Sequence, residues 1–108
     1  DVAEVHDFFS ISEIIETEEL GFCKKGDGGK MIEEGMTEVG GKIPLNISGG
    51  LMSKGHPIGA TGVGQVVEVY DQLTGNAGER TVKDAKIGLT HNFGATGASC
   101  AVHVFQSV

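Results

Sequence analysis

Histidine is the side chain best suited to moving protons near neutral pH, and this chain has four: His6, His56, His91 and His103. Three of them stand at expected element boundaries. His6 lies at the end of an opening strand, His56 just before a long helical run, and His91 at the end of a strand over Ala85 to Thr90. Strand ends and helix N-termini on one rim of an open α/β sheet are where such sheets place their sites. His103 lies inside the last strand and reads as structural or surface. A lone loop histidine also fits a hydrogen-bonded structural role, so pattern alone leaves both readings open for His6, His56 and His91. No compact zinc-ligand spacing is present, so a metal site is not expected. The glycines near 49 and 59–62 lack the strand–GxxxxGK[ST]–helix arrangement of a nucleotide P-loop.

The elements that must position these histidines centre on Ser48 to Leu73. Gly49, Gly50 and Gly55 make a loop in which backbone can approach a ligand closely. Pro57 suits a first helical turn. Val63, Val66, Val67, Tyr70 and Leu73 then recur at three- and four-residue steps, which predicts one buried helix face, with Gly75 as its stop. The positive end of that helix would attract anions near His56. Upstream, Asp1 to Phe9 reads as a strand running into a turn. A helix with a Ser10/Glu13 capping box follows; Ile11, Ile14 and Ile15 mark its apolar face, and it ends near Leu20-Gly21. Phe22 to Asn46 is a long glycine-bearing loop with a helical turn near Lys30 to Glu34. Glu13, Glu16, Glu18, Glu19, Glu33 and Glu34 read as solvated faces. Downstream, Asn92 to Gly97 reads as a turn and Ala98 to Phe105 as a strand antiparallel to the one before. Cys100 alternates with Val102 and Val104 and should pack in the core. Cys23 has Lys24 and Lys25 beside it but no histidine, so a structural role is expected for both thiols.

The totals exclude several classes. The 108 residues suffice for one modest α/β domain. A net charge of −7 argues against nucleic acid or an anionic membrane surface as the main partner. No run approaches the roughly 20 apolar residues of a membrane span. Two cysteines make no disulfide framework and suit a reducing, cytoplasmic setting. No signal peptide is evident. The opening, Asp1-Val2-Ala3-Glu4 with no starting Met, reads as a fragment or processed product.

Four motifs occur in order: His6-Asp7-Phe8-Phe9, Asn46-Ile47-Ser48-Gly49-Gly50, Gly55-His56-Pro57-Ile58-Gly59-Ala60-Thr61-Gly62, and His91-Asn92-Phe93-Gly94. Together they closely resemble the C-terminal half of a thiolase, of the sterol-carrier-protein type and its archaeal and bacterial acetyl-CoA acetyltransferase relatives. The resemblance covers essentially the whole of residues 1–108. It implies a thiolase-like α/β half, a mixed sheet with a buried central helix. It also implies Claisen condensation, or its thiolytic reverse, on acyl-CoA and 3-ketoacyl-CoA. Coenzyme A thioesters are then substrates and no other cofactor is required.

By the same resemblance, His56 activates a nucleophilic cysteine and donates to a thioester oxygen. His6 helps organise that oxygen site, usually through a water. His91 moves the substrate α-proton, and backbone N–H groups around Phe93 and Gly94 line a second oxyanion hole. The nucleophilic cysteine belongs to the N-terminal half, and neither Cys23 nor Cys100 lies in a motif matching it. This chain alone should therefore be inactive, with the missing half supplied in cis or by another subunit, in a homo-oligomer. The alternative is a non-catalytic thiolase-fold module for CoA binding or complex assembly. Retention of all three motif histidines favours the catalytic reading.

Overall fold

A computed structural model describes residues 1–108. The elements run β1 (Val2–Glu4), α1 (Ser10–Glu19), α2 (Gly28–Glu33), α3 (Gly50–Lys54), α4 (Thr61–Thr74), β2 (Ile87–Gly94) and β3 (Ser99–Gln106), with a 3₁₀ turn at Gly78–Arg80. The sheet order is β1-β2-β3. β1 and β2 pair in parallel, with Val2 opposite Gly88 and Glu4 opposite Thr90. β2 and β3 pair antiparallel from Ile87↔Gln106 to Gly94↔Ser99, as two apolar runs joined by a short turn require. All four helices lie in the β1–β2 connection. The architecture is thus α/β with a mixed sheet, as expected.

β1 is short but held on both sides. Ala3 N–H donates to the Pro44 carbonyl (3.0 Å), and Asn46 N–H donates to the Ala3 carbonyl (2.9 Å), so the Pro44–Asn46 segment covers the edge β2 does not. Asp1 anchors it at the other end, its Oδ2 accepting the Lys86 and Ile87 N–H groups at 2.8 and 2.9 Å. Ala3, Val5 and Leu45 form the core, with Leu20, Phe22 and Leu89 packed against it.

Helix α4 crosses β2 closely at Gly88, where a Cβ would run into Val69. Its register departs from the pattern. The buried residues are Thr61, Gln65, Glu68, Val69 and Gln72, whereas Val63, Val66, Val67 and Tyr70 are exposed. The same inversion marks α1: Ser12, Glu16 and Thr17 are buried while Ile11 and Ile15 face outward. Periodicity identifies which face is apolar, not which face meets this sheet. Polar groups on the inner face of α4 are satisfied in a chain of bonds. Gln65 Nε2 donates to the His91 carbonyl at 3.0 Å. Arg80 Nη2 donates to Glu68 Oε2 at 3.0 Å. Gln72 Nε2 donates to Glu68 Oε1 at 3.0 Å and its Oε1 accepts Val82 N–H at 2.8 Å.

Other local expectations also shift. α4 begins at Thr61; Pro57 belongs to the preceding turn, its carbonyl accepting Ala60 and Thr61 N–H. Gly75 does stop the helix, in the left-handed region at φ 74°. The Ser10/Glu13 box does not form: Phe9 is the extended N-cap residue and makes no side-chain cap, and Glu13 instead accepts from Asn46 Nδ2 at 3.2 Å. Residues 92–94 continue β2 rather than turning, because their cross-strand partners extend to Ser99. Cys100 is exposed, not core, because β3 is an edge strand whose side chains nearly all face solvent; His103 on the same strand is at the surface. Cys23 is half-buried, and both thiols are free.

Candidate active site at the strand rim

The parallel register places the chain after Glu4 and the chain after Thr90 at the same end of the sheet. His6 leaves β1 there, and β2 carries His91 and Phe93 past it. The His6 ring packs 4.6 Å from the Phe93 ring and 5.1 Å from Phe8, centroid to centroid. The His91 ring lies 5.7 Å from the same Phe93 ring. The third histidine arrives from a different element: His56 stands edge-on to His6 at 4.7 Å. The fold therefore brings His6 and His91 together around Phe93, with His56 joined to them through His6.

Asp7 explains how His56 gets there. Its Oδ1 accepts Leu51 N–H at 2.7 Å and its Oδ2 lies 3.4 Å from Met52 N, so one carboxylate holds the start of α3 against the β1 exit. Gly50 makes this possible. It adopts φ +58°, and a Cβ there would collide with the Asp7 carboxylate. Gly49 is the N-cap residue and Gly55 the C-cap residue of α3, so the expected glycine loop holds a short helix. At Gly50 the Asp7 carboxylate fills the space a Cβ would take, whereas Gly55 has open space there.

His56 is exposed, and its Nδ1 lies 2.7 Å from Thr61 Oγ1. Thr61 Oγ1 is itself 3.3 Å from the Pro57 carbonyl. With that hydroxyl donating to the carbonyl, its oxygen accepts from Nδ1–H, and Nε2 keeps the free lone pair that a general base needs.

His6 and His91 are sealed differently. Both are buried, and Nδ1 of each lacks a hydrogen-bond partner. Burial lowers the pKa of both, and for His6 the neighbouring His56 and His91 push the same way. Opposite His91 Nδ1, at 3.6 Å, lies Glu16 Oε1. Glu16 is 5% exposed, contrary to the solvated face expected of it, and neither carboxyl oxygen has a hydrogen-bond partner. Burial, with Asp7 and Glu13 nearby, raises its pKa to about 8. A cleft of about 400 Å³ opens on this pair, lined by Ile15, Leu20, Phe93, Cys100 and Val102 among others.

Asp7, Glu16 and Thr61 escaped sequence reasoning. Thr61 had the clearest signal, five residues after His56 at the first turn of a helix. No cluster of three or more His, Cys, Asp or Glu is arranged to hold a metal.

A mixed α/β layer with a histidine-lined strand rim is the class of domain defined here. Residues 1–107 match the family model described as thiolase C-terminal domain-like, and the chain belongs to that family. It is 56% identical over 106 residues to the acetyl-CoA acetyltransferase of Methanothermobacter thermautotrophicus, covering 98% of this chain and 28% of that protein. It is 54% identical over 98 residues to sterol carrier protein 2 of Bos taurus, covering 91% of this chain and 18% of that protein. Among solved structures, a chain of the Ltp2-ChsH2(DUF35) aldolase matches with a TM-score of 0.81 at 24% identity, over 98% of this chain and 26% of that one. That last likeness is one of fold. The chain spans under a third of the length of these relatives.

Proposed function

We propose that this chain is the C-terminal catalytic portion of a thiolase-type acyltransferase that condenses acyl-CoA or cleaves 3-ketoacyl-CoA. The observation that carries this reading is the convergence of three histidines on one rim, His6 and His91 packed on Phe93 and His56 edge-on to His6. His56, with Nδ1 engaged by Thr61, is the base that activates a cysteine supplied by the N-terminal half, in cis or from another subunit. His91 exchanges the substrate α-proton, and His6 helps form the thioester-oxygen site. Backbone N–H groups around Phe93 and Gly94, at the last two rungs of the β2–β3 ladder, line a second oxyanion hole. Gly49 and Gly55 border the loop that approaches the thioester. The substrate is a coenzyme A thioester, and no other cofactor is invoked.

The exposed apolar residues support the need for a second half. Val63, Val66, Val67 and Tyr70 on α4 and, on the opposite face of the sheet, Val102 and Val104 on β3 leave apolar surfaces of the kind that mark interaction sites. The test uses the complete protein. His56→Ala should lower turnover by on the order of a hundredfold or more; unchanged turnover would leave His56 a structural role only. Intact mass, denatured and native, distinguishes a single longer polypeptide from a split enzyme.

A further inference from the structure

We propose that Glu16 and His91 form a proton-relay pair, in which Nε2 of His91 exchanges a proton with substrate while Nδ1 exchanges one with the Glu16 carboxyl. This rests on the acid/base reading of His91 above. Three observations carry it. The two groups come from different elements, α1 and β2, and meet at 3.6 Å, slightly beyond hydrogen-bond distance. His91 Nδ1 and both Glu16 oxygens are sealed from solvent without a well-formed hydrogen bond, the His6 backbone N–H being the other polar group beside the carboxyl. Both residues line the cleft that ends at Phe93. Buried polar atoms are almost always paired, and catalytic hydrogen bonds are often long before substrate is bound.

The step balances in protons. When His91 acts as base, Nε2 takes the substrate α-proton, and the proton on Nδ1 passes to the Glu16 carboxylate. The ring ends neutral with its proton on Nε2, and Glu16 ends as the carboxylic acid. When His91 acts as acid, both protons return along the same path. Burial disfavours a charged imidazole, so a route that never leaves the ring cationic suits this site. With Glu16 raised to about 8, the base direction runs from its ionised form, whose share grows as pH rises, and the acid direction from its protonated form. Asp7, Glu13 and His6 face the pair from the β1–α1 segment, and Glu19 lines the cleft beside it. Glu16 is thus a positioning residue that acts through His91.

The test uses the complete protein with ¹⁵N-labelled histidine and the Glu16→Gln variant, which keeps the side-chain shape. In the unsubstituted protein the His91 tautomer should change as Glu16 titrates; in the variant it should stay fixed. Glu16→Gln should also lower kcat about ten- to a hundredfold with little change in KM, and flatten one limb of the pH–rate profile, with Glu16→Asp restoring part of that limb. An identical His91 response to pH in both proteins overturns the relay. His91→Ala separates the two readings: unchanged turnover there sinks the acid/base role of His91, while the nitrogen shifts still judge whether Glu16 and His91 exchange a proton.

Discussion

The strand rim and the outer flank of this domain sort side chains in opposite ways. At the rim, Glu4, His6, Asp7, Glu16 and His91 are buried. On the flanks, Ile11, Ile15, Val102 and Val104 face outward on the α1 side of the sheet and Val63, Val67 and Tyr70 on the α4 side. Burying polar groups costs free energy unless they are paired, and exposing apolar ones forgoes about 25 cal/mol per Å². A stand-alone domain would be expected to minimise both. Doing both at once is what one layer of a thicker stack would be expected to do, with polar groups closed in at the edge and apolar ones left on the faces.

The comparison can be broken most directly at the rim. His56→Ala in the complete protein should cost on the order of a hundredfold in turnover and leave its unfolding midpoint nearly unchanged, because His56 is exposed. A large drop in that midpoint would make His56 a structural residue like those beneath it. Gly50→Ala should act the other way, on stability first. A Cβ would meet Asp7 and the backbone would be held at φ +58°, so a loss of about 2–3 kcal/mol is expected from denaturant unfolding. An unaffected midpoint would mean that Asp7 and α3 part easily.

On the flank, Val67→Lys should reduce self-association of this chain studied alone and destabilise the complete protein by about 2 kcal/mol. Light scattering and chemical denaturation measure the two effects. No change in either would show that this surface faces solvent in the working protein. The last test is of pH dependence. Glu16, held at about 8 against an ordinary 4.5, keeps in the folded state a proton that the unfolded chain releases. Its contribution to stability is therefore whole below pH 4.5 and is lost as pH rises through about 8. Glu4 and Glu13, also raised by burial, act in the same direction. For Glu68, burial pushes up, but the Arg80 and Gln72 hydrogen bonds bring the net shift below the ordinary value. Thermal unfolding across this range should show a shallower decline in Glu16→Gln than in the unsubstituted chain.

Much of this was legible in the sequence, and what was not has a common cause. The β2–β3 pairing, the stop at Gly75 and the three motif histidines could be read because turn chemistry and short motifs are local signals. The facing of α1 and α4 could not. Ile11 and Val67 announce an apolar stripe, but a stripe does not say whether its own sheet or another layer will cover it. Glu16 looked solvated for the same reason: it lies on the polar face, and here the polar face is the inner one. Asp7 and Thr61 were hidden because their partners, the α3 amides and the His56 ring, are set by tertiary placement and by a turn whose geometry the sequence does not print.

The short β1 strand has a kinetic consequence. It joins β2 across nearly the whole chain, with Asp1 bonded to residues 85 and 86 positions away. A contact of that span must close a long loop before it returns any stabilisation, which slows folding. Helices α1 and α4 can form in about a microsecond on their own, but His6 and His91 cannot meet until β1 docks. The histidine rim is therefore among the last parts of the domain to assemble, and a mutation that loosens β1 would delay the meeting of His6 and His91 before it lowered the final yield of folded chain.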